Sequence, residues 1–306
     1  MKNTLTLLGL VFVTMPLLAQ YRPQYTQFMF NKMAYNPAVA GSEEATTIGA
    51  LYRHQWHGVV GAPRTANLFG HGSFVNGRGG LGAALVSDRI GMVEDLSVSM
   101  SYAYRIPLGK HKTVSIGLNG QYQNARLDWS RAILLDIDDV DLPVGESSKS
   151  AMNFGAGIYY QAPRMFLGIS VPNLMKNAFY DESYFGINSV NKFRAYYLMG
   201  GLVIPVNENV AFQPSVMLTY VPNAPFDADM QVGLLFADKF YIGGGYRLHD
   251  SLNGVIQYKM SRQFKIGLGL DYALSELQSY SPGSGEILLQ YIFDFENESL
   301  KNIRFF

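Results

Sequence analysis

Apolar and polar residues alternate one by one along much of this chain. From Leu96 to Leu108, the residues Leu96, Val98, Met100, Tyr102, Tyr104 and Ile106 share one face, and Ser97, Ser99, Ser101, Ala103 and Arg105 share the other. Between Phe264 and Leu274 the apolar positions Phe264, Ile266, Leu268, Leu270, Tyr272 and Leu274 oppose Lys265, Gly267, Gly269, Asp271 and Ala273. A third run, Glu286 to Glu296, places Ile287, Leu289, Tyr291, Phe293 and Phe295 on its apolar face. A period of two held over nine or more residues predicts a strand with two chemically different sides. About fourteen such segments are expected, near 46–57, 65–75, 79–88, 95–106, 113–127, 151–161, 165–171, 193–204, 210–220, 229–237, 240–249, 254–261, 263–275 and 285–296.

The connections between them fall into two alternating length classes. Those at VNGRG (75–79), PLGKHK (107–112), APR (162–164), PVNEN (205–209), DK (238–239) and SR (261–262) are tight, and longer ones such as 128–150 and 172–192 lie between. Transmembrane barrels of the outer membrane use strands of ~9–11 residues, short periplasmic turns and longer outer loops. An even strand number also returns both chain ends to one side. The pattern therefore predicts an all-β fold, a transmembrane outer-membrane β-barrel of about 14 antiparallel strands over residues 46–296. In this reading the N-terminal segment (20–45), the tight turns and the tail (297–306) lie in the periplasm.

Composition agrees with such a barrel. Hydrophobic residues make up 48% of the chain and charged residues 16%, well under the ~25% charged of ordinary soluble domains. There are no cysteines, so backbone pairing rather than disulfides must hold the fold. The first nineteen residues, MKNTLTLLGLVFVTMPLLA, have the order of a secretory signal peptide: Lys2, an apolar centre, and Ala19 at the cut. Lysine plus arginine balance aspartate plus glutamate at 24 each, and no field favours nucleic acid.

Several short stretches, taken in order, carry a resemblance. QYTQFMFNKMAYNPAVAGS (24–42) is followed by YRHQWHGVVGAPRT (52–65), SDRIG (87–91), YAYRIPL (102–108), LGISVPNL (167–174), GEILLQY (285–291) and RFF (304–306). Together they resemble the PorP/SprF family of outer-membrane proteins of type IX secretion and gliding systems in Bacteroidetes. Where family members often carry an Asp-Pro element, this chain has RAILLDIDDVD, and its closing aromatics are Phe305 and Phe306. The resemblance implies a non-enzymatic component that docks or anchors a secreted surface protein, such as a large adhesin, alongside periplasmic type IX components.

The stretch 24–42 is too apolar for a solvated tail and too broken for one regular element. Part of it is expected to tuck into the barrel as a plug. Tyr25, Gln27, Asn31 and Asn36 would bond lumen groups such as Arg53 and Gln55, and Pro37 and Gly41 would turn the chain into the first strand. An external lid beneath the barrel is the alternative. Arg53 should face inward, since Tyr52 and His54 share the other face. Trp56, Pro63 and Arg64 belong to the second motif, and Arg64 and Arg89 lie at outer connections.

Enzymatic and metal chemistry are weakly represented. His71 and Ser73 share a strand face, but no orienting Asn or Asp is evident beside them, and Asn67, His71 and Ser73 read as one polar lumen row. His54 and His57 are expected on opposite faces, unable to share a metal. Asp136, Asp138, Asp139 and Asp141 offer carboxylates for calcium, without the glycine and glutamate of an EF-hand loop; a solvated acidic loop is the plainer reading. The glycine-rich GGLGAAL and GGGYR lie inside strands and lack the strand-to-helix context of a nucleotide site. No catalytic residue or cofactor is expected. The rival function is an outer-membrane transporter of small hydrophobic solutes, against which the polar lumen-facing positions argue.

Overall fold

The computed structural model describes residues 23–43, 45–74, 77–131, 145–175, 177–178, 191–192, 194–222 and 224–293. The fourteen strands form one closed antiparallel barrel. They are β1 (Thr46–His54), β2 (Arg64–Phe74), β3 (Gly79–Ile90), β4 (Val93–Pro107), β5 (Thr113–Asp128), β6 (Glu146–Ala162) and β7 (Met165–Val171). Then come β8 (Tyr196–Leu202, continued by Ile204–Pro205), β9 (Val210–Tyr220), β10 (Asp227–Phe236), β11 (Phe240–Arg247), β12 (Ser251–Lys259), β13 (Phe264–Ala273) and β14 (Ser284–Phe293). Each strand pairs with its chain neighbours, and β1 pairs with β14 to close the ring, with Arg53 opposite Glu286.

Period two becomes two surfaces. On β1, Thr47, Leu51 and Arg53 are buried while Ile48 and Tyr52 are exposed. On β4, Ser97, Ser101 and Arg105 are buried while Leu96, Val98, Met100, Tyr102 and Tyr104 are exposed. A ring-wide belt of exposed aliphatic and aromatic side chains far exceeds the few hundred Å² that soluble surfaces carry, and it matches a lipid-facing wall. Inside, glycines let rings lie flat on the wall: a Cβ at Gly49 would sit 2.3 Å from the Phe69 ring, and one at Gly233 2.4 Å from that of Tyr241. Such aromatic-over-glycine pairs pin strand register in curved sheets.

Two details depart from the sequence pattern. The expected alternation of connection lengths is not strict, because the longer-loop end of the barrel also carries the tight turns 91–92 and 248–250. Gly91 at φ 58 and His249 at φ 59 make these turns possible. Strand β6 also starts at Glu146, five residues earlier than expected. Its Ser147–Ser150 stretch is exposed and lacks apolar alternation, yet it pairs with Asn124 to Leu127 of β5 as a hairpin standing above the wall. The two barrel ends are called here the turn end (75–78, 108–112, 163–164, 206–209, 237–239, 260–263) and the loop end. By the rule for outer-membrane barrels the turn end faces the periplasm.

Candidate functional site

Residues 24–42 run inside the ring of strands. Three short 3₁₀ turns, Phe28–Phe30, Lys32–Ala34 and Pro37–Val39, replace a regular helix. Asn36 begins the third, its side-chain oxygen accepting the Ala38 N–H at 2.9 Å, and Pro37 follows with its preset φ. Tyr25, Phe28, Met29, Tyr35, Val39 and Ala40 are all buried. Burial of each large apolar side chain among them contributes about 1.5–3 kcal/mol.

At the loop end the segment is held by charge. The Arg53 guanidinium, 1% exposed, donates to Asp271 at 2.6 Å, to Thr26 Oγ1 at 2.6 Å and to Glu286 at 3.4 Å. Thr26 Oγ1 in turn donates to Asp271 at 2.7 Å. Glu286 accepts the backbone N–H of Thr26 at 2.9 Å and that of Gln27 at 3.0 Å, one on each oxygen. Two buried carboxylates facing one guanidinium leave excess negative charge, and these charge-assisted backbone bonds offset it. Gln24 donates to Asp227 at the start of β10, and nearby Arg247 donates to Asp229 at 2.6 Å and Asp250 at 3.4 Å.

Toward the turn end the contacts change to close packing. A Cβ at Gly117 would lie 2.3 Å from the Ala38 nitrogen, one at Gly80 2.0 Å from the Ala40 oxygen, and one at Gly157 2.1 Å from Asn36 Oδ1. Asn36 Nδ2 donates to the carbonyls of Ile158 at 3.0 Å and Ile169 at 3.5 Å. Ser170 donates to the Tyr35 carbonyl at 2.8 Å. Gly41, at φ +67, turns the chain toward β1, where a Cβ would meet Gly80 Cα at 2.6 Å. Residues 24–42 therefore extend from the loop end to the turn end of the lumen. Its Gly41–Ser42 end lies at the turn end, beside the start of β1.

The expected partners are rearranged. Arg53 meets Thr26 rather than Tyr25, Gln27, Asn31 or Asn36. Tyr25 hydroxyl accepts from Asn67 at 3.3 Å, and Gln27 uses its backbone on Glu286. The Gln27 and Asn31 side-chain amides are buried with no hydrogen bond among the described residues. Gln55 is buried, and its N–H donates to the Pro63 carbonyl at 3.0 Å, closing the 55–63 loop. That loop spans the rim: Trp56 N–H donates to Ser284 at 3.3 Å, His57 N–H to the Gly283 carbonyl at 2.9 Å, and the Gly61 carbonyl accepts from Gly91 at 2.8 Å. The first, second, third and sixth motifs thus meet in one assembly. Asp271 and Glu286 were not singled out as its charge partners; the strand pairing that closes the ring, Arg53 opposite Glu286, was the missing signal.

The histidines also differ from expectation. His54 and His57 do not diverge: Trp56, at φ 47, folds the chain back and brings their rings to 4.4 Å. His71 lies 3.9 Å from Glu43, a carboxylate the sequence did not place beside it, and no hydrogen bond joins His71 to Ser73 among the described residues. Arg64 is exposed on the outer wall, and Arg89 pairs with Glu94. The acidic cluster Asp136, Asp138, Asp139 and Asp141 lies outside the described residues.

A lipid-belted fourteen-stranded ring with its own N-terminal segment along the lumen defines an outer-membrane β-barrel. Solved structures with this fold include the CymD monoaromatic hydrocarbon channel (13% identity, TM-score 0.56, covering 88% of this chain and 94% of that one). The Ralstonia pickettii toluene transporter TbuX (14% identity, TM-score 0.52, 86% and 93%) and Acinetobacter baumannii Omp33 (10%, 0.50, 83% and 100%) are similar as well. At these identities the likeness is one of fold. No curated protein matches the sequence. The family of type IX secretion system membrane proteins PorP/SprF matches residues 17–291, and this chain belongs to it.

Proposed function

We propose that this barrel docks a secreted surface protein, such as a large adhesin of a gliding apparatus, at its loop end, and works with periplasmic type IX components at its turn end. It is exported by its N-terminal signal peptide, and it catalyses no reaction. The N-terminal segment closes the lumen, so the barrel is a fixture rather than a conduit. The observation that supports this reading is the N-terminal segment buried inside the ring of strands, in a member of a type IX secretion family. Crosslinking in the native outer membrane, affinity purification and mass spectrometry test it. Recovery of a large secreted surface protein or periplasmic secretion components is the expected result, and recovery of the barrel alone with bound apolar solutes contradicts it.

Transport of small hydrophobic solutes is the second reading, prompted by the hydrocarbon channel and toluene transporter of similar fold. It is less well supported by the inward faces of β9, β10 and β12, where Gln213, Gln231 and Gln257 are buried amides rather than an apolar row.

A further inference from the structure

The lipid-facing side of the wall changes character around its loop end. On β8, β9, β11 and β13 the outward residues nearest that end are Tyr196, Tyr220, Tyr246 and Tyr272. On β1, β2 and β3 they are His54, Arg64 and Arg89, directly paired in a row, His54 opposite Arg64 and Arg64 opposite Arg89. Adjacent strands lie ~4.8 Å apart, so the three backbones fall within about 10 Å.

Their height places them at a headgroup layer. Leu81, the first outward apolar residue of β3, and Arg89 are eight positions apart on one face. At ~3.3 Å per residue and a tilt near ~40°, that is roughly 20 Å along the membrane normal, close to the ~25 Å apolar band of such barrels. The next outward residues below the row are Tyr52, Ala66 and Ser87, and Leu68 and Leu85, one step further down, are exposed to lipid.

The row's charge is open to an outside anion. Arg64 is exposed and makes no ion pair among the described residues. Arg89 is 49% exposed, and its partner Glu94 is a surface carboxylate at 31%, a pair of small worth in water. Beside the row a groove of about 490 Å³ is lined by Leu252, Leu270, Tyr272, Pro282 and His57, with the Arg53-paired Asp271 also contributing. His57 joins the two features, because its ring packs on His54 and lies over the bare backbone of Gly285.

We propose that this row binds the phosphate groups of a phosphorylated glycolipid of the outer leaflet, with an acyl chain in the groove. An amphiphile fits where an acidic protein does not, since the cations face outward at the upper rim of an apolar wall that begins with Tyr52, Leu68 and Leu85. The phosphates meet Arg64 and Arg89 by charge-assisted hydrogen bonds, and His54 and His57 frame the sugar between the row and the groove.

The test measures glycolipid retained by the full-length barrel after purification in mild detergent, by mass spectrometry, for the wild type and Arg64→Glu/Arg89→Glu. Heat-modifiable gel migration reports folding, and Arg64→Gln/Arg89→Gln carries the comparison if charge reversal blocks assembly. The double variant is expected to retain about tenfold less phosphorylated glycolipid, and Arg64→Lys/Arg89→Lys most of it. The dephosphorylated lipid is expected to bind wild type and variant equally, and millimolar inorganic phosphate is expected to leave the bound lipid in place. Equal retention by wild type and variant, equal wild-type retention of both lipid forms, or displacement by inorganic phosphate overturns the proposal.

Discussion

The two ends of the lumen segment are held by different physics. At the loop end, Thr26 and Gln27 hang from the Arg53–Asp271–Glu286 charge cluster through a handful of short hydrogen bonds. At the turn end, Asn36 to Ala40 lie against strand glycines, with two side-chain bonds to strand carbonyls. Charge-assisted bonds are strong but brittle, because removing one partner leaves a buried charge behind. Close packing fails differently: it has no single weak bond, yet one added methyl group has nowhere to go.

The largest effect is expected from Arg53→Ala. It leaves Asp271 and Glu286 buried without their cation and should destabilise the barrel by about 3–5 kcal/mol, read as a lower denaturant midpoint for folded migration in gels. Gly117→Leu attacks the other end. Its side chain must enter the space of Ala38, and overpacking of this kind costs about 1–3 kcal/mol. The segment should be displaced while the wall remains, so limited proteolysis should cut within 24–42 in the variant only. Unchanged protection would show that the close packing does not set the segment's position.

Asn36→Ala removes a turn cap and the bonds to Ile158 and Ile169, for a loss of about 1–2 kcal/mol. Gln24→Ala removes only the rim contact to Asp227 and should shift the midpoint by less than about 1 kcal/mol. If Gln24→Ala proved as damaging as Arg53→Ala, the loop-end anchor would lie at β10 rather than at the charge cluster.

The wall was legible in the sequence because lipid on one side and polar lumen on the other impose period two on every strand. Where that constraint ends, so does legibility: Ser147 to Ser150 stand above the membrane on β6, and nothing in their alternation marks them as a strand. The turn at 91–92 was hidden for a related reason, since Ser87 to Arg89 continue β3 into polar residues. Within the site, Asn36, Pro37 and Gly41 could be recognised as turn-forming residues, and Arg53 as inward-facing by parity. Its partners were not recognisable. Asp271 and Glu286 are far from Arg53 and from the N-terminal segment in sequence, and only the register across β13, β14 and β1 brings them together. The fold-back of His57 onto His54 depends on one left-handed residue, Trp56, of a type that rarely adopts that conformation.

Single-channel conductance in planar bilayers tests the closed lumen most directly, comparing a chain that begins at residue 20 with one that also lacks residues 20–42. The longer chain should be silent and the deletion should show a steady open level, as expected of a fourteen-stranded ring emptied of its filling. Equal conductance in the two, whether both open or both closed, would contradict a lumen closed by its own N-terminal segment and remove the main ground for preferring docking over transport.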